Sequence, residues 1–366
     1  MPTTTPLTDS LVSIAVVGAT GAVGREALAI LESRGVAASR ITALASPRSA
    51  GTTIPYAGGL LRVQAIDDFD FRPIDVAIFC ATSAVARTHA PRAIESGSLV
   101  VDNSSAFRSD PRIPLVVPEV NADAITPADR LIANPNCSTI ILLVAIEPLR
   151  KRFGVRDLVV STYQAVSGAG AAALEELRTQ AADVLAGRSP APRVFKEPCA
   201  FNVFSHNSNV DPESGVNVEE RKMIDETHKI WGDSRVRITP TCVRVPVFRT
   251  HSESVTLSLA TPANLDEIRH AFTNARGLRV VDDRAANKFP TSIDASGGDD
   301  VLVGRLRPDP AATLDPSGRT TRWCLFIAGD QLRKGAALNA VQIAELARNR
   351  FAVRIPEASR STTLAV

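Results

Sequence analysis

Val12-Ser13-Ile14-Ala15-Val16-Val17-Gly18-Ala19-Thr20-Gly21-Ala22-Val23-Gly24 is the stretch on which the fold turns. Its first half is a short β-branched strand. Beyond the glycines, Val23, Ala27, Ile30 and Leu31 recur at helical spacing, and Gly35 closes the helix. The order is therefore strand, glycine turn, helix. Glycines let a backbone come close to a pyrophosphate, and the helix start attracts its charge. Gly18, Thr20, Gly21, Ala22, Val23 and Gly24 are accordingly candidate dinucleotide contacts. The spacing is G-x-x-G-x-x-G rather than the commoner G-x-G-x-x-G, so a tight turn that binds nothing is the competing reading.

The next strand, Ile41 to Ala45, bears on which dinucleotide is held. It runs into Ser46-Pro47-Arg48-Ser49, where an NAD site usually offers an acid to the ribose. A guanidinium flanked by two hydroxyls suits the 2′-phosphate of NADP instead, and Ser46, Arg48 and Ser49 are read as its contacts. The competing reading is a solvated loop charge. Further strands are expected at Val76 to Cys80, Leu99 to Val101, Leu115 to Val117 and Leu131 to Ala133, with a helix near Ala84 to Ser96 that Pro91 kinks. This alternation predicts an α/β, Rossmann-like domain with a parallel, doubly wound sheet.

That domain ends at Asn134-Pro135-Asn136-Cys137-Ser138-Thr139, which opens the apolar run Ile140 to Ile146. A thiol in the first turn of a helix lies near unpaired amides and the positive end of the dipole, so it is expected to ionise readily. Cys137 is thus a candidate nucleophile, against the bland alternative of a small apolar plug.

Composition narrows the class. The chain has 366 residues, 45% hydrophobic and 22% charged, enough for two domains with large cores. A formal net charge of +2 gives no reason to expect nucleic acid or a membrane surface as partner. The Thr-rich start Met1 to Ser10 lacks the apolar region of a signal peptide, and the expected compartment is the cytoplasm. Five scattered cysteines, with no C-x-x-C pair, predict neither a disulfide framework nor a metal site.

Seven motifs in order then carry a resemblance. They are Gly18 to Gly24; Asn103-Ser104-Ser105-Ala106-Phe107-Arg108; Pro118-Glu119-Val120-Asn121; Asn134 to Thr139; Gln164-Ala165-Val166-Ser167-Gly168-Ala169-Gly170; Arg244-Val245-Pro246-Val247 with His251; and Leu332-Arg333-Lys334-Gly335-Ala336-Ala337-Leu338-Asn339. Together they resemble the aspartate-semialdehyde dehydrogenase family from about Val12 to Arg350. The resemblance implies NADPH-dependent reduction of L-4-aspartyl phosphate to L-aspartate 4-semialdehyde and phosphate, in the branch leading to lysine, threonine and methionine. It also implies a homodimer or homotetramer.

A thiolate can attack either the acyl phosphate or the aldehyde and pass through a thioester, with hydride exchanged at the nicotinamide. By the same resemblance Cys137 is the nucleophile and His251 the acid-base residue, its imidazole expected near its natural pKa. Arg244 grips the α-carboxylate. Glu219 meets the α-ammonium, with Glu220 competing for that role, and Lys222, three residues on, shares a helix face with Glu219; the competing reading of the pair is an exposed salt bridge. The phosphate lies between Lys222 and Arg108, Gln164 orients the substrate, and Asn136 helps to cradle the oxyanion. Ser167, Gly168 and Gln331 approach the cofactor, as does Lys334-Gly335-Ala336.

The expected domains are residues 11–137, completed by 331–352 with a final helix Leu332 to Arg350, and residues 138–330. The second is an α+β unit with a helix Ala171 to Ala186, a surface loop Ser189 to Pro198, and a mixed sheet from strands near Leu158–Tyr163, Val236–Pro240, Val255–Leu259, Val301–Leu306 and Arg322–Ala328. In the family that sheet forms the dimer interface. The chain departs from the pattern at Gln331, where an asparagine is expected, at Thr52, where lysine is frequent, and at Val216, where an aromatic is usual. No role follows for the Asn- and Ser-rich segment Phe204 to Gly215. Two rivals are N-acetyl-γ-glutamyl-phosphate reductase, whose cysteine normally sits in a Gly-Cys-Tyr context, and a non-catalytic NADP-binding redox sensor.

Overall fold

In the computed structural model, which describes residues 12–350, Ile14 to Val17 form β1 with all four side chains buried. An unbroken apolar run suits a strand covered on both faces. β1 sits inside a seven-stranded sheet with β2 (Ile41–Ala45), β3 (Thr53–Tyr56), β4 (Gly59–Ala65), β5 (Val76–Phe79), β6 (Leu99–Asp102) and β7 (Leu131–Ala133), in the order β3-β4-β2-β1-β5-β6-β7. Every pairing is parallel except β3 with β4. Helix α1 (Ala22–Ser33) and the C-terminal helix Leu338–Arg350 cover one face, the latter through Val341, Ile343 and Ala344. Helix α2 (Ser83–Glu95) covers the other with Ala86, Ala90 and Ala93, and runs on through Pro91. The predicted doubly wound domain is present.

Two local readings need correction. Leu115 to Val117 is not a strand, since only Leu115 bridges Ala133. The Asn121 side chain takes the Val117 N–H and donates to the Leu115 carbonyl, which turns the chain into the short helix α3 (Pro118–Asn121). The β3–β4 hairpin was not anticipated; its turn places Ala57 and Gly58 at φ of 49° and 74°, the positive pair that a two-residue hairpin needs. Residue 11 and residues 351–352, part of the expected boundaries, lie outside the described residues.

The next helix, α4 (Cys137–Phe153), begins where the first sheet ends. Asn136 caps it, accepting the Ser138 and Thr139 amides, while Arg150, Lys151 and Arg152 favour its negative end and Gly154 stops it. Ile140 to Ile146 are all buried, as befits a helix apolar all round. They pack with Leu158, Val255, Leu257 and Leu325 in the largest core.

Beneath α4 lies the second seven-stranded sheet, formed by β8 (Val155–Gln164), β9 (Phe204–Ser205), β10 (Arg237–Arg244), β11 (His251–Ala263), β12 (Leu278–Val280), β13 (Val301–Pro308) and β14 (Thr320–Gly329). Its order is β12-β13-β14-β11-β8-β10-β9, with β8–β10 and β12–β13 parallel and the rest antiparallel. The alternation Val255-Thr256-Leu257-Ser258-Leu259 buries Val255, Leu257 and Leu259 and leaves the hydroxyls outward. Register is what places the chemistry. Arg244 pairs with Gln164 at the ends of two parallel strands, and antiparallel β11 starts at His251 on that same edge. Helices α5 (Ala171–Leu185) and α6 (Val218–Trp231) flank this edge.

Candidate active site

A cavity of about 350 Å³ lies where α1, the start of α4 and the ends of β8 and β10 converge. Cys137, His251, Arg244, Glu219, Lys222 and Arg108 line it, and Val23, Ser167 and Gly168 approach from the dinucleotide side. Residues from both halves of the molecule thus share one space. Among the described residues no group of three or more His, Cys, Asp or Glu side chains could hold a metal ion.

Cys137 is the first residue of α4, as its sequence context implies, but the thiol does not ionise readily in this state. Burial pushes it up to about 12, and the Glu219 carboxylate adds to this; Arg108, Lys222 and the Ser138 amide pull the other way without winning. The expectation from the helix dipole is therefore overturned, because desolvation of a thiolate outweighs the partial charge of one helix turn.

His251 also departs from expectation. Burial, then the neighbouring Arg244, hold its imidazole at about 3 rather than near its natural value. Its Nδ1 accepts the Ala165 amide at 2.9 Å, so the proton of the neutral ring sits on Nε2. That Nε2 is buried and has no partner among the described residues. In this arrangement it is a hydrogen-bond donor aimed at the cavity rather than a base for the thiol. The ring rests on Gly168, where an added Cβ would come within 3.4 Å of it.

Arg244 is 3% exposed and has only neutral acceptors. Its Nη1 donates to the Gln164 and Ala165 carbonyls at 3.2 and 2.5 Å, and Nη2 meets His206 Nε2 and Asn207 Oδ1 at 2.9 and 3.2 Å. Phe195 lies 5.4 Å from the guanidinium, so the predicted surface loop contributes a buried ring. A buried cation with no carboxylate is suited to a ligand that brings one.

Glu219 is the converse. Burial alone would raise its carboxyl, but Lys222, His206, Asn136 and Gln164 bring it down to about 2. Oε1 accepts from Asn136 Nδ2 at 2.8 Å and Gln164 Nε2 at 3.0 Å, and Oε2 from Lys222 Nζ at 3.1 Å. The site therefore holds a fixed carboxylate. Arg108 is engaged as well, its Nη1 on Glu226 at 3.1 Å and its Nη2 on the Asn103 carbonyl at 2.8 Å.

Two of the assigned residues are also held by the protein itself. Asn136 gives its Oδ1 to the α4 amides and one Nδ2 hydrogen to Glu219, which leaves it a second N–H in the lining of the cavity. Gln331 is 2% exposed, accepts the Thr250 amide at 2.7 Å and donates to Ser167 Oγ. A buried amide must satisfy both its ends, and here the protein supplies one partner to each. Lys334 likewise turns away from the cavity to Glu119 at 2.6 Å, while Gly335 passes so close to Cys137 that a Cβ would sit 3.0 Å from the Cys137 Cβ. The chain there takes a wide turn, Arg333–Ala337, in place of the expected helix start.

His206, Asn207 and Glu226 are the residues that sequence reading missed. Short β9 pairs with the end of β10 and delivers His206 and Asn207 to Arg244, which is what the Phe204 to Gly215 segment does. Glu226 accepts the Asn136 amide at 2.6 Å and so holds the entry to α4. No local spacing signals these partners, because long-range strand pairing and helix packing create them.

The dinucleotide loop fits its ligand class. Gly18 has a φ of 81°, and a Cβ there would meet the Cys80 carbonyl oxygen at 2.5 Å; at Gly24 it would meet the Gly18 oxygen at 2.1 Å. Helix α1 starts at Ala22 with no side-chain cap and no acid in its first turn, leaving its amides to an anion. Arg48 stands exposed past β2, between Ser46 and Ser49, with no ion pair among the described residues.

A glycine-looped dinucleotide domain joined to a mixed-sheet domain, with a cavity lined from both, is the architecture of a semialdehyde dehydrogenase. The family described as "Semialdehyde dehydrogenase, NAD binding domain" matches residues 13–128, and "Semialdehyde dehydrogenase, dimerisation domain" matches 146–334. Aspartate-semialdehyde dehydrogenase of Synechocystis sp. is 46% identical over 337 residues, covering 92% of this chain and 97% of that one. That of Bacillus subtilis is 41% identical, covering 91% and 96%. The crystal structure of aspartate semialdehyde dehydrogenase II complexed with ASA from Vibrio cholerae superposes with a TM-score of 0.88 at 39% identity, over 93% and 99% of the two chains. The chain belongs to the aspartate-semialdehyde dehydrogenase family.

Proposed function

We propose that the protein reduces L-4-aspartyl phosphate reversibly to L-aspartate 4-semialdehyde and phosphate, with Cys137 as the nucleophile. The observation that carries this reading is the charge pattern of the cavity, in which an unpaired guanidinium and a fixed carboxylate flank one cysteine. Arg244 binds the α-carboxylate and Glu219 the α-ammonium, while Lys222 and Arg108 face the phosphoryl group. Cys137 Sγ attacks the acyl carbon, and phosphate leaves carrying the thiol proton to give a thioester on Sγ. The Nε2–H of His251 holds the oxygen that becomes negative in the tetrahedral states, much as a preorganised oxyanion donor does. NADPH, when bound, supplies the hydride that converts the thioester to the aldehyde level. Collapse then returns the Sγ and releases the semialdehyde.

For the cofactor, Gly18 to Gly24 receive the pyrophosphate at the open start of α1, Ser46, Arg48 and Ser49 the 2′-phosphate, and Val23, Ser167 and Gly168 the nicotinamide end. The functional division is residues 11–137 with 331–352 for the dinucleotide and 138–330 for catalysis and dimerisation. Val159 and Tyr163, 50% and 37% exposed on the outer face of β8, support a homodimer, or a homotetramer built from it, across the second sheet. No helix among the described residues is long and apolar enough to cross a membrane. The cytoplasm, where NADPH and phosphate are supplied, is the proposed compartment.

Glu219 distinguishes this reading from an N-acetylated substrate, which has no ammonium to offer it. The test is phosphate-dependent reduction of NADP with aspartate semialdehyde and, separately, with N-acetylglutamate semialdehyde. Turnover of the first alone is expected. Turnover of the second alone defeats the substrate assignment, and turnover of neither defeats the enzymatic reading.

A further inference from the structure

Thr250, the residue before His251, is the one β-branched side chain among the described residues held at positive φ outside glycine, at 82°. A Cβ with two substituents is disfavoured in that region. It is also fully buried, and its Oγ1 has no hydrogen-bond partner there. Both features are unfavourable, so something around the residue must over-determine its conformation.

The constraint is visible on either side. Arg249 is gripped at two points, its Nε by Asp330 at 2.6 Å and its Nη2 by Glu26 at 2.8 Å. Asp330 is itself buried and fixed by the amides of Gly297, Leu332 and Arg333. Glu26 is held as well by Arg333 at 2.7 Å, and it stands on α1, two residues beyond Gly24. On the other side, the His251 ring is fixed by the Ala165 amide. Thr250 spans the gap, with its own amide on Gln331. If Arg249 were released, the backbone at Thr250 could relax to negative φ and carry the imidazole out of line.

We propose that Glu26, Arg249 and Asp330 form a clamp that holds Thr250 in its left-handed conformation and so aims His251 Nε2 into the cavity. Arg249 and Glu26 are positioning residues and act only through His251. Because Glu26 belongs to the helix that receives the dinucleotide, the clamp ties the histidine to the cofactor domain. The proposal rests on the reading of His251 given above, and extends it to residues outside the cavity.

Strain makes the clamp testable with glycine. Glycine occupies positive φ without strain, so a chain carrying Thr250→Gly lacks the strain that would drive the backbone away once the clamp opens. Glu26→Gln is to be measured in both the native and the Thr250→Gly backgrounds, with Arg249→Gln as a second way to open the same pair. In the native background, Glu26→Gln is expected to lower kcat on the order of tenfold, with the KM values for aldehyde and phosphate within about twofold. In the Thr250→Gly background the same change should cost less than about twofold. An equal loss in both backgrounds, or no loss in the native one, overturns the clamp. The cycle is also to be read by NMR through the His251 Cε1–H resonance, which should move with Glu26→Gln only when Thr250 is present. This signal does not require turnover. A native protein inactive on the semialdehyde would thus defeat the functional reading alone, while an unmoved resonance would defeat the clamp.

Discussion

Two helix starts meet the same cavity and are finished in opposite ways. Helix α1 begins after Gly21 with no side-chain cap and no acid in its first turn, whereas α4 begins after Asn136, whose carboxamide takes the Ser138 and Thr139 amides. An open start leaves donors and dipole to a ligand's negative charge. A capped start has used them to hold the backbone, and with it Cys137, in one place. The same terminus physics therefore gives an anion site in one domain and a rigid mount in the other. On the mount, burial and Glu219 push the thiol up, so under the proposed function the sulfur gains reactivity as the substrate ammonium offsets Glu219.

The largest expected effect sets chemistry at α4 apart from binding at α1. Cys137→Ser should lower turnover by about 10³-fold or more, since an ordinary hydroxyl is a poor nucleophile, while NADP binding stays within about twofold. Steady-state rates and a cofactor titration on one preparation decide it. Native-like turnover would end the thioester reading.

Gly24→Ala should produce the mirror image. Its Cβ would press on the Gly18 carbonyl at 2.1 Å, so the loop must shift and NADP affinity should fall about 100-fold. Alkylation of Cys137 by iodoacetamide should proceed at the native rate. A slowed alkylation would mean that the two helix starts are not independent.

The pH dependence of that alkylation examines the capped start directly. With the thiol up at about 12, the thiolate fraction in the free protein should rise tenfold per pH unit, with no plateau below about pH 10. Glu219→Gln removes a negative charge beside the sulfur, which lowers the thiol and should speed the reaction about tenfold at pH 8. A plateau near pH 7 in the native protein would restore the helix dipole as the dominant influence.

Arg48→Ala examines the far end of the dinucleotide site. Loss of an exposed charge-assisted contact should weaken NADP about tenfold and leave NAD unchanged, at one fixed ionic strength because salt screens it. An equal fall for both cofactors would make Arg48 a support for the loop.

The smallest effect is structural. Asn136→Ala should cost about 1 kcal/mol of stability, the usual worth of a helix cap, read as a drop of a few degrees in the thermal midpoint. The matching substitution at α1, Gly21→Ala, has no side-chain cap to remove and should move the midpoint less. A larger shift from Gly21→Ala would erase the distinction between the two starts.

Much of this was legible in the residues themselves. The glycine turn after Ile14 to Val17, Asn136 before a long apolar run, and the alternation in Val255 to Leu259 are local patterns, and local patterns dictate elements because helix and strand periodicities follow from backbone geometry. The motif order also named Cys137, His251 and Arg244, and the family resemblance added Glu219 and Lys222; the fold gathers all five in one cavity. What the residues could not declare were their surroundings. Protonation depends on burial and on charges brought from other elements, so the raised Cys137 and the depressed His251 emerge only once α4, β11 and α6 pack together. His206 reaches Arg244 through pairing between distant strands, and Thr250 keeps its positive φ beside Arg249, whose partners Glu26 and Asp330 lie 223 and 81 positions away in the chain. Sequence determined which chemical groups the protein owns and which elements carry them; tertiary structure decided their charge, their tautomer and their aim, because those are set by contacts that no stretch of chain contains.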